Sequence, residues 1–241
     1  MSPDDAIAAL RAAGDPQKAA EMAAYHKASR TYLGVANPVL DGFGKAWRAE
    51  MAETPPQIGG PVLPSPSLSA RLDLAQSLWD SDIHEARILA AKLLTQARFN
   101  DEDAPVWSLI AGWVPDFDAW AIADHAAIAG QKRLLADPSR LDEVETWTTS
   151  PHIWTRRAAL VFTLPWPRLK SSNENQLATR SRILSWAAGY VSDSNWFIQK
   201  AIAWWLRELS KRDPAATRAF LAQHGADMKA FARREAGRYL T

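Results

Sequence analysis

Helix punctuation constrains this chain more than any other feature of its sequence. "SPDDAIAALRAA", "DPQKAAEMAAYHKAS", "NPVLDGFGKAWRAEMAE" and "DPAATRAFLAQHG" each open on Ser, Asp or Asn followed by Pro. The polar side chain can accept a backbone N–H left over at a helix start, and Pro suits the first helical position because no N–H is needed there. "DIHEARILAAKLLTQA", "DFDAWAIADHAAIAGQ", "PHIWTRRAALVFTL" and "ENQLATRSRILSWAAGYVS" continue the helical period. No stretch alternates Val, Ile or Thr as a half-buried strand does. The pattern predicts an all-α fold: about a dozen helices joined by short turns into antiparallel pairs, stacked as a solenoid in one domain, residues 1–241. Two stretches interrupt it. Residues 53–69, "ETPPQIGGPVLPSPSLS", read as a proline-rich loop, and 165–173, "PWPRLKSSN", as a shorter one.

The segment "FIQKAIAWWLRELSKRDP" carries two stripes on one predicted helix. At about 100° per residue, Ile198, Ile202, Trp205 and Leu209 share a face that packs on a core. Lys200, Trp204, Arg207 and Lys211 share the opposite face. Trp204 therefore cannot pack on the same core as Trp205. Either a second layer of protein covers it or a ligand does.

Charge is unevenly spread. The formal net charge is only +1, yet residues 1–150 hold 13 Lys and Arg against 21 Asp and Glu, and residues 151–241 hold 15 against 6. A basic segment favours a polyanion, since phosphate contacts release condensed counterions. The alternative is that the two halves neutralise one another. There are no cysteines, which excludes disulfides and thiolate chemistry. The five histidines lack metal-ligand spacing, so no metal is expected, and no phosphate-binding glycine loop or Gly-x-Ser-x-Gly elbow is present. No run reaches the roughly 18 apolar residues of a membrane span, and "MSPDDAIAALRAAG" does not resemble a signal peptide; a cytoplasmic protein is expected.

Other pairs suggest chemistry and also have plainer readings. Trp120 and Asp124 are four apart and point the same way on one helix; such a carboxylate commonly caps or bridges to an arginine. Trp154 and Arg157, with Arg156 beside them, read equally as a core tryptophan with two solvated arginines. The 12 tryptophans are mostly large core plugs on this reading. Taken together, indole faces, a carboxylate and arginines suit a phosphate backbone carrying a cationic base.

In order along the chain, "AAYHKASRTYLGVANP", "SLWDSDIHEARILAAKLL", "FDAWAIADHAA", "SPHIWTRRAALV", "WFIQKAIAWWLRELSKRDPAATRAFL" and "FARREAGRYL" resemble the AlkD-type DNA alkylation-repair glycosylases. The resemblance runs over most of the chain and implies a right-handed solenoid of HEAT-like repeats. It implies that Trp120 is an aromatic wall, Asp124 the catalytic carboxylate and Trp204 a second indole at the lesion. It further implies DNA contacts by Arg156 or Arg157, Arg207, Lys200 and Tyr25. The implied reaction releases cationic N3- or N7-alkylated purines from duplex DNA by a monomer, without a cofactor and with the base left stacked. The chain departs from the family's frequent pattern at Ala121, where an Asp often follows the tryptophan, and after "LGV", where Thr-Pro and basic residues are frequent. The resemblance also allows relatives that bind branched DNA without removing bases, which keeps a non-catalytic scaffold for DNA or a protein as the other function class.

Overall fold

In a computed structural model, residues 1–51, 66–99, 103–170 and 173–240 are described. Among them every regular element is helical, apart from one isolated parallel bridge between Thr31 and Ile83. The chain forms two compact units, Met1–Ala136 and Asp137–Thr241.

The first unit contains α1 (Pro3–Ala12), α2 (Pro16–His26), α3 (Asn37–Glu50), α4 (Pro66–Asp80), α5 (His84–Leu94), α6 (Asp103–Gly112) and α7 (Trp120–Ala136). The second contains α8 (Leu141–Thr146), α9 (Ile153–Val161), α10 (Pro165–Arg168), α11 (Glu174–Gly189), α12 (Trp196–Ser210), α13 (Pro214–His224) and α14 (Ala230–Ala236). Three of the four Pro-preceded start signals cap as expected, whereas Asn37 is itself the first residue of α3 and Ala36, at the cap position, makes no side-chain cap. Ser2 accepts from the N–H of Asp5, Asp15 from those of Gln17 and Lys18, and Asp213 from that of Ala216. Asn173 and Gln176 form a reciprocal capping box on α11.

Most of the proline-rich stretch expected as a loop lies outside the described residues, and from Pro66 the chain is already helical. Residues 165–173 also differ from expectation. They begin with the single helical turn α10, which admits Pro165 and Pro167 because first-turn N–H groups need no intrahelical acceptor.

In the first unit α5 is the central element, packed by α3, α4 and α7. Its residues from His84 to Ala91 are all buried, polar ones included. Several tryptophans are core plugs: Trp79 and Trp113 stack with centroids 4.4 Å apart, and Arg87 lies over the Trp79 ring at 4.7 Å. In the second unit α12 takes the same place, packed by α9, α10, α13 and α14. Its stripe of Ile198, Ile202, Trp205 and Leu209 is fully buried. No described helix is long and apolar enough to cross a membrane.

Candidate functional site

The N-terminal motif is bound to the rest of its unit through backbone and charge. Helix α2 ends where Lys27 turns into the left-handed region (φ 58°), and the chain then runs extended along the start of α5. The N–H of Thr31 donates to the carbonyl of Asp82, and that of His84 donates to the carbonyl of Thr31. The buried carboxylate of Glu85 accepts from the backbone N–H groups of Leu33 (3.1 Å), Gly34 (2.7 Å) and Val35 (3.3 Å). Gly34 has φ +78°, and a Cβ there would meet the Asp15 carbonyl at 2.1 Å, so the turn admits only glycine. Arg30 completes the clasp by donating to Asp118 at 2.5 Å, just before α7, with Asp82 at 3.6 Å.

This clasp carries the last residues of α2 onto the first residue of α7. The half-buried Trp120 indole meets the Tyr25 ring edge-on, with centroids 6.0 Å apart at 87°, and the His26 ring at 5.3 Å and 42°. Tyr25 is 69% exposed. Asp124 lies one turn along α7 and is half-buried. Its charge bears on the neighbouring His125, whose Nδ1 is 2.7 Å from the Ala121 carbonyl. Burial pushes the His125 pKa down, and the contact with Ala121 and the Asp124 charge only partly oppose it.

The basic unit places its candidates differently. Trp204 is half-buried, with the Arg168 guanidinium 5.9 Å from its ring centroid. Its helical neighbours Lys200 and Arg207 each lie 2.6 Å from the carboxylate of Glu235 on α14, and Arg207 also has Glu208 at 3.7 Å. Lys211 pairs with Glu208 at 3.1 Å. Glu235 on α14 thus supplies the counter-charge for Lys200 and Arg207, and Glu208 on α12 itself that for Lys211. Arg156 donates to the carbonyls of Ser150 (2.7 Å) and Pro151 (3.0 Å) and to Asp193 (3.1 Å). Arg157 is buried, 5.9 Å from the centroid of Trp154, which itself packs on Phe197 at 4.7 Å. The two arginines that the sequence could not rank are therefore distinct: Arg156 lies at a part-buried loop junction and Arg157 in the packing.

Within the first unit, then, Trp120 and Asp124 share the start of α7, and Tyr25 at the end of α2 meets the Trp120 ring. Within the second, Trp204, Lys200 and Arg207 line one face of α12. Sequence reasoning missed His26, Tyr32, His84 and Glu85 behind Trp120, and Glu235 behind α12. His26 had a usable signal, adjacency to Tyr25. The others approach only through folding.

A family model for DNA alkylation repair enzymes matches residues 6–240. The chain belongs to the DNA alkylation repair enzyme family. No curated protein matches it. Among solved structures, one described as a predicted DNA alkylation repair enzyme from Enterococcus faecalis is 21% identical, with a TM-score of 0.73, covering 95% of this chain and 97% of that one. The smu.31 protein of Streptococcus mutans UA159 is 15% identical with a TM-score of 0.58, over 85% of this chain and 96% of its own. AlkD2 from Streptococcus mutans is 14% identical with a TM-score of 0.54, over 83% and 98%. At these identities the likeness is one of fold: this DNA alkylation repair family member has the all-helical repeat architecture of those proteins. Among its described residues no group of three or more His, Cys, Asp and Glu side chains could hold a metal ion.

Proposed function

We propose that the protein is a DNA glycosylase that hydrolyses the N-glycosidic bond of cationic N3- or N7-alkylated purines in duplex DNA. The observation that carries this reading is the start of α7, where a half-exposed indole, Trp120, precedes a carboxylate by one turn, with the exposed Tyr25 ring set against it. A purine alkylated at N3 or N7 is already positive and leaves without a general acid. As the bond breaks, positive charge moves onto the deoxyribose, as in sugar hydrolysis. Asp124, ionised, stabilises that charge and positions the attacking water. The face of Trp120 contacts the sugar or the cationic base, a contact contributing about 0.5–2 kcal/mol, and in the second unit the half-buried Trp204 offers a further indole face to the damaged strand. Tyr25 contacts the strand, and Arg156, Arg157, Lys200 and Arg207 provide the positive field for flanking phosphates. Lys200 and Arg207 reach a phosphate by dividing their donors between it and Glu235. The base stays stacked in this reading, so the lesion's own charge drives the reaction and a neutral lesion reacts poorly.

Asp124→Asn tests it on duplexes containing one 7-methylguanine or one uracil. Release of 7-methylguanine by the wild type, its loss in Asp124→Asn with binding retained, and negligible uracil release are expected. Comparable release of uracil and 7-methylguanine would overturn the charge-driven mechanism. The second reading, a non-catalytic scaffold for DNA or a protein, draws on the internal ion pairs of Arg156, Lys200 and Arg207. Equal binding of damaged and undamaged duplex with no base release would establish it.

A further inference from the structure

Behind Trp120 the first unit contains a row of rings that packing alone does not explain. His26 follows Tyr25 as the last residue of α2, and its ring centroid lies 5.3 Å from that of Trp120. On its inner side His26 meets His84 at 4.6 Å, and it is nearly parallel to Tyr32 at 6.1 Å. Tyr32 and His84 close the group at 4.8 Å. His84 has no exposure at all, and among the described residues neither of its ring nitrogens has a hydrogen-bond partner. The Nδ1 of His26 is likewise buried without one. Burying a polar atom unsatisfied costs stability. The row carries that cost where it ends, on the half-exposed indole of Trp120.

We propose that His26, backed by His84 and Tyr32, is a positioning residue that sets the plane of the Trp120 indole. This rests on the glycosylase reading, in which that indole face must meet the lesion. A half-exposed indole on the first residue of a helix has rotamer freedom that one wall cannot remove. His26 supplies a tilted face at 42° and Tyr25 an edge at 87°, so the two rings restrict the indole from different directions. The backing is also uncharged near neutral pH. Burial lowers the pKa of His26, opposed by the charge of Glu85, and brings that of His84 down to about 3. An imidazolium so close to the indole would repel the cationic base that the indole is placed to attract.

His26→Ala and His26→Phe decide the matter, with two readouts on each. The first is single-turnover release of 7-methylguanine beside affinity for the undamaged duplex. The second is the indole N–H resonance of Trp120, assigned by its disappearance in Trp120→Phe. His26→Ala is expected to slow release about tenfold or more while duplex affinity changes by less than about twofold, because a misplaced wall acts on the reacting geometry. The Trp120 resonance should shift or broaden. His26→Phe, which restores a ring, should recover most of the rate and the original resonance. An unmoved Trp120 resonance in His26→Ala would overturn the proposal, as would a rate loss that His26→Phe does not recover. If the wild type releases no base but the resonance responds as described, the glycosylase reading falls and the positioning of Trp120 stands.

Discussion

Glu85 is a carboxylate buried completely and met by three backbone N–H groups of the Leu33–Val35 turn. Charge-assisted bonds of this kind are strong because the alternative is an uncompensated interior charge or three orphaned donors. Glu85→Ala should therefore destabilise the protein by about 3–5 kcal/mol, and Glu85→Gln, which keeps an acceptor, by clearly less. Urea unfolding measures both. If Glu85→Ala matches the wild type, the clasp is ornamental. His84 makes a separate prediction about pH. Its folded pKa of about 3 is depressed from 6.5, so the unfolded chain binds the extra proton between those values. Stability from its neutrality is present above pH 6.5 and is lost as pH falls towards 3. Between pH 7 and pH 5 the wild type should lose about 1–2 kcal/mol more than His84→Phe does. Equal losses in the two proteins would show that His84 does not carry this part of the acid sensitivity.

At the scale of the element, α12 is a helix with two different obligations. Its inner stripe is core: Trp205 is fully buried, and Trp205→Ala should cost about 3–5 kcal/mol of stability. Trp204 is only half-buried, so Trp204→Ala should leave the fold intact and, on the proposed function, abolish base release. Thermal unfolding beside a 7-methylguanine assay separates the two, and a Trp204→Ala protein that is both folded and fully active would remove that indole from the site. The outer cations depend on α14. Glu235 pairs with both Lys200 and Arg207, so on the proposed function it competes with a phosphate for them. Glu235→Gln should raise affinity for duplex DNA and steepen the slope of log affinity against log salt by about one unit per phosphate gained. A loss of affinity instead would mean that Glu235 orients these cations and does not compete with the strand.

For the whole molecule, charge follows the structural division more simply than the near-zero total suggests. Residues 1–136 hold 12 Lys and Arg against 17 Asp and Glu, whereas residues 137–241 hold 16 against 10. Of the proposed strand contacts, the basic unit carries Arg156, Lys200 and Arg207, and the acidic unit carries Tyr25 and the carboxylate of Asp124. Binding to undamaged duplex should weaken steeply from 50 to 200 mM salt, the signature of counterion release. Affinity that does not change with salt would detach the charge asymmetry from DNA.

Much of this was legible before folding because it is local. Helix starts at Ser2, Asp15 and Asp213 depend on atoms two or three residues away, and the buried stripe of α12 depends on a period of 3.6. The Trp120–Asp124 spacing is local in the same sense: four residues on a helix share a face in any context. What covers that face is not local. Tyr25 and His26 reach Trp120 from far along the chain, through a clasp made by Glu85, Arg30 and a glycine turn. Glu235 reaches Lys200 and Arg207 from another helix, and an i, i+4 pattern of cations looks the same whether a carboxylate or a phosphate completes it. By itself the sequence determined which residues lie side by side on each helix, since backbone hydrogen bonding repeats every turn. Only the tertiary structure decided which of those faces is sealed, paired or left half open, because burial and charge pairing are set by whichever distant segment packs there.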